Sequence, residues 1–194
     1  MAAIAKTAAE LRVSNHVWEK EKNVTGKFQE SDADAVCAAG YLCKRVSLLP
    51  NEGYTSINNE NAWLMNAATS SDVTDEIYFC NTFGVQELAD ANGNVYKVGR
   101  DTLGLALPAG QRGTFTRIDG IQSHDIIRFG EGNFASAPTV GKFATIDAGK
   151  LKPAASASST AGELYFEILG TGTFTVGAYA GFTYYDVRAK RVLG

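Results

Sequence analysis

The chain has 194 residues, 45% of them apolar, with 20 glycines, 4 prolines and a formal charge of −3. That length buries a core without disulfide or metal staples, and no basic patch or stripe of the kind phosphate contacts need is visible. No apolar run reaches membrane-spanning length and the N-terminus lacks the basic-then-apolar pattern of a secretory signal, so neither a membrane nor direct nucleic acid is expected as partner, and synthesis in a cytoplasm is.

Residues 1–30 differ in pattern from the rest of the chain. Ala2 to Leu11 carries good helix formers and predicts a short helix. Val13 to Gln29 mixes charge with isolated large apolar residues, which suits a helix or an extended arm reaching beyond the main body. Residues 31–194 read as one mainly β domain, a single β-sandwich or barrel-like fold with short hairpins. Ala35 to Arg45 predicts a strand or hairpin arm, and Trp63 to Ala67 and Ile77 to Asn81 are short strand candidates. Val85 to Leu88 and Val95 to Val98 flank Asn92-Gly93, the strongest local hairpin signal. Leu103 to Leu107 and Thr114 to Ile118 bracket a turn at Pro108 to Gly113, and Asp125 to Phe129 gives one more strand before Gly130 to Asn133. Val140 to Ile146 pairs with Lys150 to Lys152 around Asp147-Ala148-Gly149, and the small-residue stretch 154–162 predicts a flexible loop. The longest alternation runs from Leu164 to Tyr184. It sets Leu164, Phe166, Ile168, Phe174, Val176, Ala178, Ala180, Phe182 and Tyr184 on a dry face, and Tyr165, Tyr179 and Tyr185 on the wetter one.

No set of reactive residues stands out, so no enzyme, catalytic residue, cofactor or metal is expected. In Ser123-His124-Asp125 consecutive side chains of an extended chain point to opposite faces and cannot relay a proton among themselves. His16 has no nearby partner that suggests a metal, and the Asp90 to Asn94 stretch lacks the glycine and glutamate positions of a calcium loop. The glycines at 104, 110, 170 and 172 lack the following helix and lysine of a phosphate cradle, and the pairs Asp32/Asp34 and Glu163/Glu167 read as solvent-facing. Cys37, Cys43 and Cys80 are an odd count without a CxxC spacing or clustered histidines, and read as buried free thiols in a reducing compartment. From Val46 to Tyr96 there is no Lys or Arg, which predicts a solvated acidic face or a surface for a basic partner or a neighbouring copy. Tyr179, Tyr184, Tyr185, Trp18 and Trp63 are core or half-core residues, or else line a sugar-stacking or protein-binding patch.

Several phrases resemble those of tailed-bacteriophage virion proteins, and most of all the capsid decoration (cement) proteins. They are Ala38-Ala39-Gly40-Tyr41-Leu42, Asp147-Ala148-Gly149-Lys150-Leu151, and the turn Leu107-Pro108-Ala109-Gly110 followed by the strand Gly113-Thr114-Phe115-Thr116. The likeness covers roughly Asp34 to Lys152. It implies a structural virion protein on the capsid surface, with the major capsid protein and copies of itself as partners, reinforcing the shell without a small-molecule substrate. An N-terminal arm adding a strand to a neighbour's sheet edge suits that work, with Val13, Val17, Trp18, Val24 and Phe28 as its partner-binding anchors. The alternatives are another virion component (tail tube, baseplate or fibre-associated) or a carbohydrate-binding β-sandwich.

Overall fold

A computed structural model describes residues 9–13, 23–49, 62–81, 86–89, 95–98, 106–118, 126–175 and 181–194. Their regular structure is β1 (Ala9–Val13), β2 (Asn23–Glu30), β3 (Ala33–Asp34), β4 (Leu42–Leu48), β5 (Trp63–Ala67), β6 (Ile77–Cys80), β7 (Gln86–Ala89), β8 (Val95–Val98), β9 (Arg112–Ile118), β10 (Ile126–Gly130), a 3-10 turn at Glu131–Asn133, β11 (Phe143–Asp147), β12 (Lys150–Ala154), β13 (Leu164–Thr173) and β14 (Thr183–Arg191). The fold is mainly β, and no α-helix occurs among the described residues.

Strand β2 pairs in parallel with β5 and antiparallel with β9, so the order β2-β5-β4-β6-β9 returns to β2 and closes as a five-stranded barrel. Every wall strand sends side chains inward: Phe28, Cys43, Met65, Tyr78, Cys80 and Phe115, with Cys37 and Leu107 joining them from outside the wall. The interior is narrow, and Gly26 shows how narrow. A Cβ there would lie 2.5 Å from Met65 Cγ and 3.0 Å from the Phe115 ring, so only a residue without a side chain lets those two groups meet.

The second sheet runs β1-β10-β14-β13-β11-β12. Its inner face, with Ile127, Phe129, Ile146, Phe166, Ile168 and Val187 among others, packs against Leu42, Ile77, Phe79 and Ile118 from the outside of the barrel. Strand β6 is therefore buried on both faces, which explains its uninterrupted Ile-Tyr-Phe-Cys run: the even residues face the barrel and the odd ones the second sheet. A separate two-stranded hairpin, β7 with β8, pairs Gln86 with Val98 through Ala89 with Val95. The expected hairpin thus forms, in a register one residue off that of a two-residue Asn92-Gly93 turn; residues 90–94 lie outside the described ones. The β11–β12 turn is also as predicted, with Ala148 and Gly149 both left-handed (φ 46° and 75°). The stretch 154–162 is turn-rich and tied in place. The Ser158 hydroxyl bonds the Glu163 carboxylate, and Gly162 N donates to Val192 O at 2.9 Å.

Three expectations are corrected. Ala9 to Leu11 are strand, not helix, because the edge of β10 supplies hydrogen-bond partners that outweigh local propensity; residues 2–8 lie outside the described ones. Residues 23–30 belong to no arm, since β2 is a barrel wall bonded on both sides, and a boundary at 30 cuts the β2–β3 hairpin. The long alternation does not keep one face throughout. A bulge between Ile168 and Gly170 adds Leu169 to β13, after which Thr171 pairs with Tyr185 and Gly172 with Tyr184. On β14 the core-facing residues are Val187 and Ala189, with Tyr185 packed against the core, while Phe174, Phe182 and Tyr184 form a satellite cluster.

Candidate functional site

The barrel and the sheet meet where one end of the barrel is plugged by the irregular segment 35–41. Cys37 and Leu107 exchange backbone hydrogen bonds at 3.0 and 2.7 Å, which draws the Leu107 turn onto the plug. Gly110 closes that turn with φ 77°. On the other side of the plug, the Tyr41 hydroxyl donates to Ala148 O at 2.8 Å and Leu42 N donates to Gly149 O at 2.8 Å. The Tyr41 ring lies so close to Gly149 that a Cβ there would sit 2.3 Å from it. Asn133, 3% exposed, reaches across from the second sheet and donates through Nδ2 to Ala39 O at 2.8 Å. The phrases 38–42, 107–110 and 147–151, far apart in the chain, thus form one junction.

The opposite mouth of the barrel is ionic. Glu76 accepts from Tyr78 Oη at 2.9 Å and from Arg117 Nη1 at 3.1 Å, and pairs with Arg45, whose guanidinium stacks 4.4 Å from the Trp63 ring centroid. Burial pushes the Glu76 carboxyl up, but the Tyr78 hydroxyl and the two arginines outweigh it and hold it below the usual range. Burial, helped by the same Glu76 contact, pushes Tyr78 up to about 12. Nearby, Asp72 accepts from Lys44 Nζ, Thr69 N and Thr69 Oγ1, each at 2.7 Å. Burial opposes ionisation there too, and these donors lower the carboxyl nonetheless. Arg191 then clamps the end of the second sheet to the barrel, donating from Nη1 to the carbonyls of Val73, Thr74 and Gly162 and from Nη2 to Asp75 O. A cavity of about 350 Å³ beside this clamp is lined by Thr74, Asp75, Glu76, Arg117, Ile118, Gly162 and Arg191.

Of the expected anchors, Phe28 is 2% exposed inside the barrel and Val24 packs beside it, so neither is offered to a partner: their even parity on β2 points them inward. Val13 ends β1 on the edge of β10, and Val17 and Trp18 lie outside the described residues. So do His16, His124, Tyr179 and the Asp90 to Asn94 turn. The acidic stretch is only in part a solvated face, because Asp72 and Glu76 are bound by Lys44, Arg45 and Arg117. Tyr184 carries Arg128 at 3.6 Å over its ring and Phe174 at 5.0 Å, and Tyr185 packs on Phe134 at 5.2 Å, which leaves neither ring as an open stacking platform. The three cysteines are free and buried. Among the described residues no group of three His, Cys, Asp or Glu is arranged to hold a metal ion. Asn133 and Arg191, which join the two layers, were invisible to sequence reasoning: nothing local marks a polar side chain whose acceptors in the other layer lie more than ninety residues away.

Comparison with known proteins brings no relative: no family model, no curated protein and no solved structure matches this chain.

Proposed function

We propose that the chain is a structural virion protein, a decoration (cement) protein that binds the outer capsid lattice through the major capsid protein and further copies of itself. The observation that carries this reading is the junction. The phrases that resemble decoration proteins are held together by Tyr41, Gly149, Leu107 and Cys37 at the meeting of barrel and sheet, so the likeness lies in the frame of the fold and not in scattered surface turns. A double-layered β body with two cores suits a part that bears load. Val46, Leu48, Val140 and Leu169, all more than a third exposed, supply apolar contact points whose modest individual worth a lattice multiplies. The arm role narrows to Val17 and Trp18, since Val13 belongs to β1 of the second sheet and Val24 and Phe28 belong to the barrel.

Density-gradient fractionation of a source lysate tests the proposal. The chain is expected in a heavy band with shell proteins, and a Val17→Ser/Trp18→Ser variant, which keeps both β1 and β2, is expected to fold and to leave that band. Recovery of the full chain only near its monomer mass of 20.7 kDa would overturn the virion reading. Undiminished particle binding by that variant would overturn the arm.

A further inference from the structure

The barrel holds a sulfur cluster for which lattice binding has no use. Cys37 Sγ and Cys43 Sγ are 3.9 Å apart, with both residues fully buried and both thiols free. That distance is close to van der Waals contact, so no atom stands between them. Cys37 sits on the plug and Cys43 on wall strand β4. The third thiol also neighbours Cys37: Cys80 Sγ lies 4.0 Å from the Cys37 carbonyl oxygen and interacts with the Cys37 thiol, while the sulfur pair in contact at 3.9 Å is Cys37 with Cys43. We propose that Cys37 and Cys43 form a latent disulfide, closed by exchange with a low-molecular-weight disulfide, that locks the plug onto the barrel wall. The loop it closes is 38–42, the phrase that carries Tyr41 and the hydrogen bonds to Ala148 and Gly149, so the bond fastens the junction between the two layers.

The chemistry is two successive exchanges. When the plug lifts, the Cys37 thiolate attacks one sulfur of oxidised glutathione, breaking its S–S bond, forming a mixed disulfide and releasing one glutathione thiolate. The Cys43 thiolate then attacks the Cys37 sulfur of the mixed disulfide, forming Sγ–Sγ and releasing the second glutathione. The two protein thiols lose two electrons, the glutathione disulfide gains them, and the two thiol protons end on the released glutathione molecules. Burial keeps both protein thiols protonated in the closed fold, so opening of the plug limits the rate and the reduced form persists in a reducing cytoplasm.

The test incubates the folded full-length chain with oxidised glutathione, alkylates the remaining thiols and maps tryptic peptides. Cleavage after Lys27 and Lys44 places both cysteines in one peptide, 28–44. The expected result is that peptide unalkylated and lighter by two hydrogens, with Cys80 alkylated, and an oxidised chain that unfolds at higher urea until dithiothreitol reverses the shift. Cys80→Ser is expected to keep the bond and Cys43→Ser to lose it. A link from Cys37 to Cys80, a persisting glutathione adduct at Cys37, or complete inertness of Cys37 and Cys43 would overturn the proposal. So would a crosslinked chain whose urea midpoint is unchanged or lower.

Discussion

Replacing Phe28 by Ala separates a barrel wall from a free arm more sharply than any other single change. The ring is 2% exposed, lies edge-on to Tyr41 with centroids 5.6 Å apart, and shares the barrel interior with Met65, Tyr78 and Phe115. Deleting a buried phenyl group from a packed core costs about 3–5 kcal/mol, the transfer of the lost atoms plus the cavity left behind. The upper half of that range applies, because five wall strands bonded edge to edge leave little freedom to collapse onto the space. A whole domain is stable by about 5–15 kcal/mol. The variant therefore loses about a quarter or more of that, seen as a fall in melting temperature of roughly 8–20 °C for a chain of this size. Urea unfolding followed by far-UV circular dichroism measures it, with an unchanged slope showing that the loss is one of stability. Leu48→Ala, at a residue 50% exposed, is the control and should stay within about 0.5 kcal/mol. A Phe28→Ala loss under about 1 kcal/mol would refute the placement of β2 in the barrel.

Gly149→Ala forces a Cβ into the Tyr41 ring at a left-handed residue (φ 75°), and is expected to lower stability by about 2–4 kcal/mol in the same urea assay, with part of the loss regained in a Tyr41→Ala background. Asp72 and Glu76 have folded carboxyls below their ordinary range, so the stability they contribute is present at neutral pH and lost as pH falls through those lowered values. Urea midpoints should hold from pH 7 to roughly pH 4 and then drop, and Asp72→Asn, missing about 1–3 kcal/mol at neutral pH, should show a shallower acid limb. An identical limb in both proteins would sink that account. At the alkaline end Tyr78 is raised to about 12, so its share of stability is intact below the ordinary phenol value near pH 10 and disappears as pH climbs through 12. In a phenolate absorbance titration it should ionise late, and Tyr78→Phe should remove that step.

Sequence patterns located the strands well where one cause decided them. Trp63 to Ala67 is β5 with the same bounds, and Ile77 to Asn81 differs from β6 by one residue. The parity of Leu164, Phe166 and Ile168 named three core residues of β13, and it stopped being informative at the bulge, because one inserted residue exchanges the two faces of everything beyond it. Of the candidate site, the phrases 107–110 and 147–151 were legible as a turn and a hairpin. Ala35 to Arg45, however, read as one strand or hairpin arm, whereas strand begins only at Leu42. Residues 35–41 are the irregular plug, held by partners at Leu107 and Ala148 that no local pattern announces. The convergence of the three phrases was not legible, since it rests on contacts such as Tyr41 with Ala148, separated by 107 positions.

What the amino-acid sequence determines by itself is the class of structure. Two-residue periodicity, glycines at turns and scarce proline suffice for many short antiparallel strands, because those preferences act within a few residues. What the tertiary structure alone decides is which strands close on which. Isolated charged-flanked residues such as Val24 and Phe28 look like an arm until β2 finds β5 and β9, and an alanine-rich start looks helical until β10 offers an edge to Ala9 to Leu11. In each case the deciding energy is a hydrogen-bond ladder or a buried face supplied by residues far along the chain. Local propensity, worth under about 1 kcal/mol per residue, yields to it.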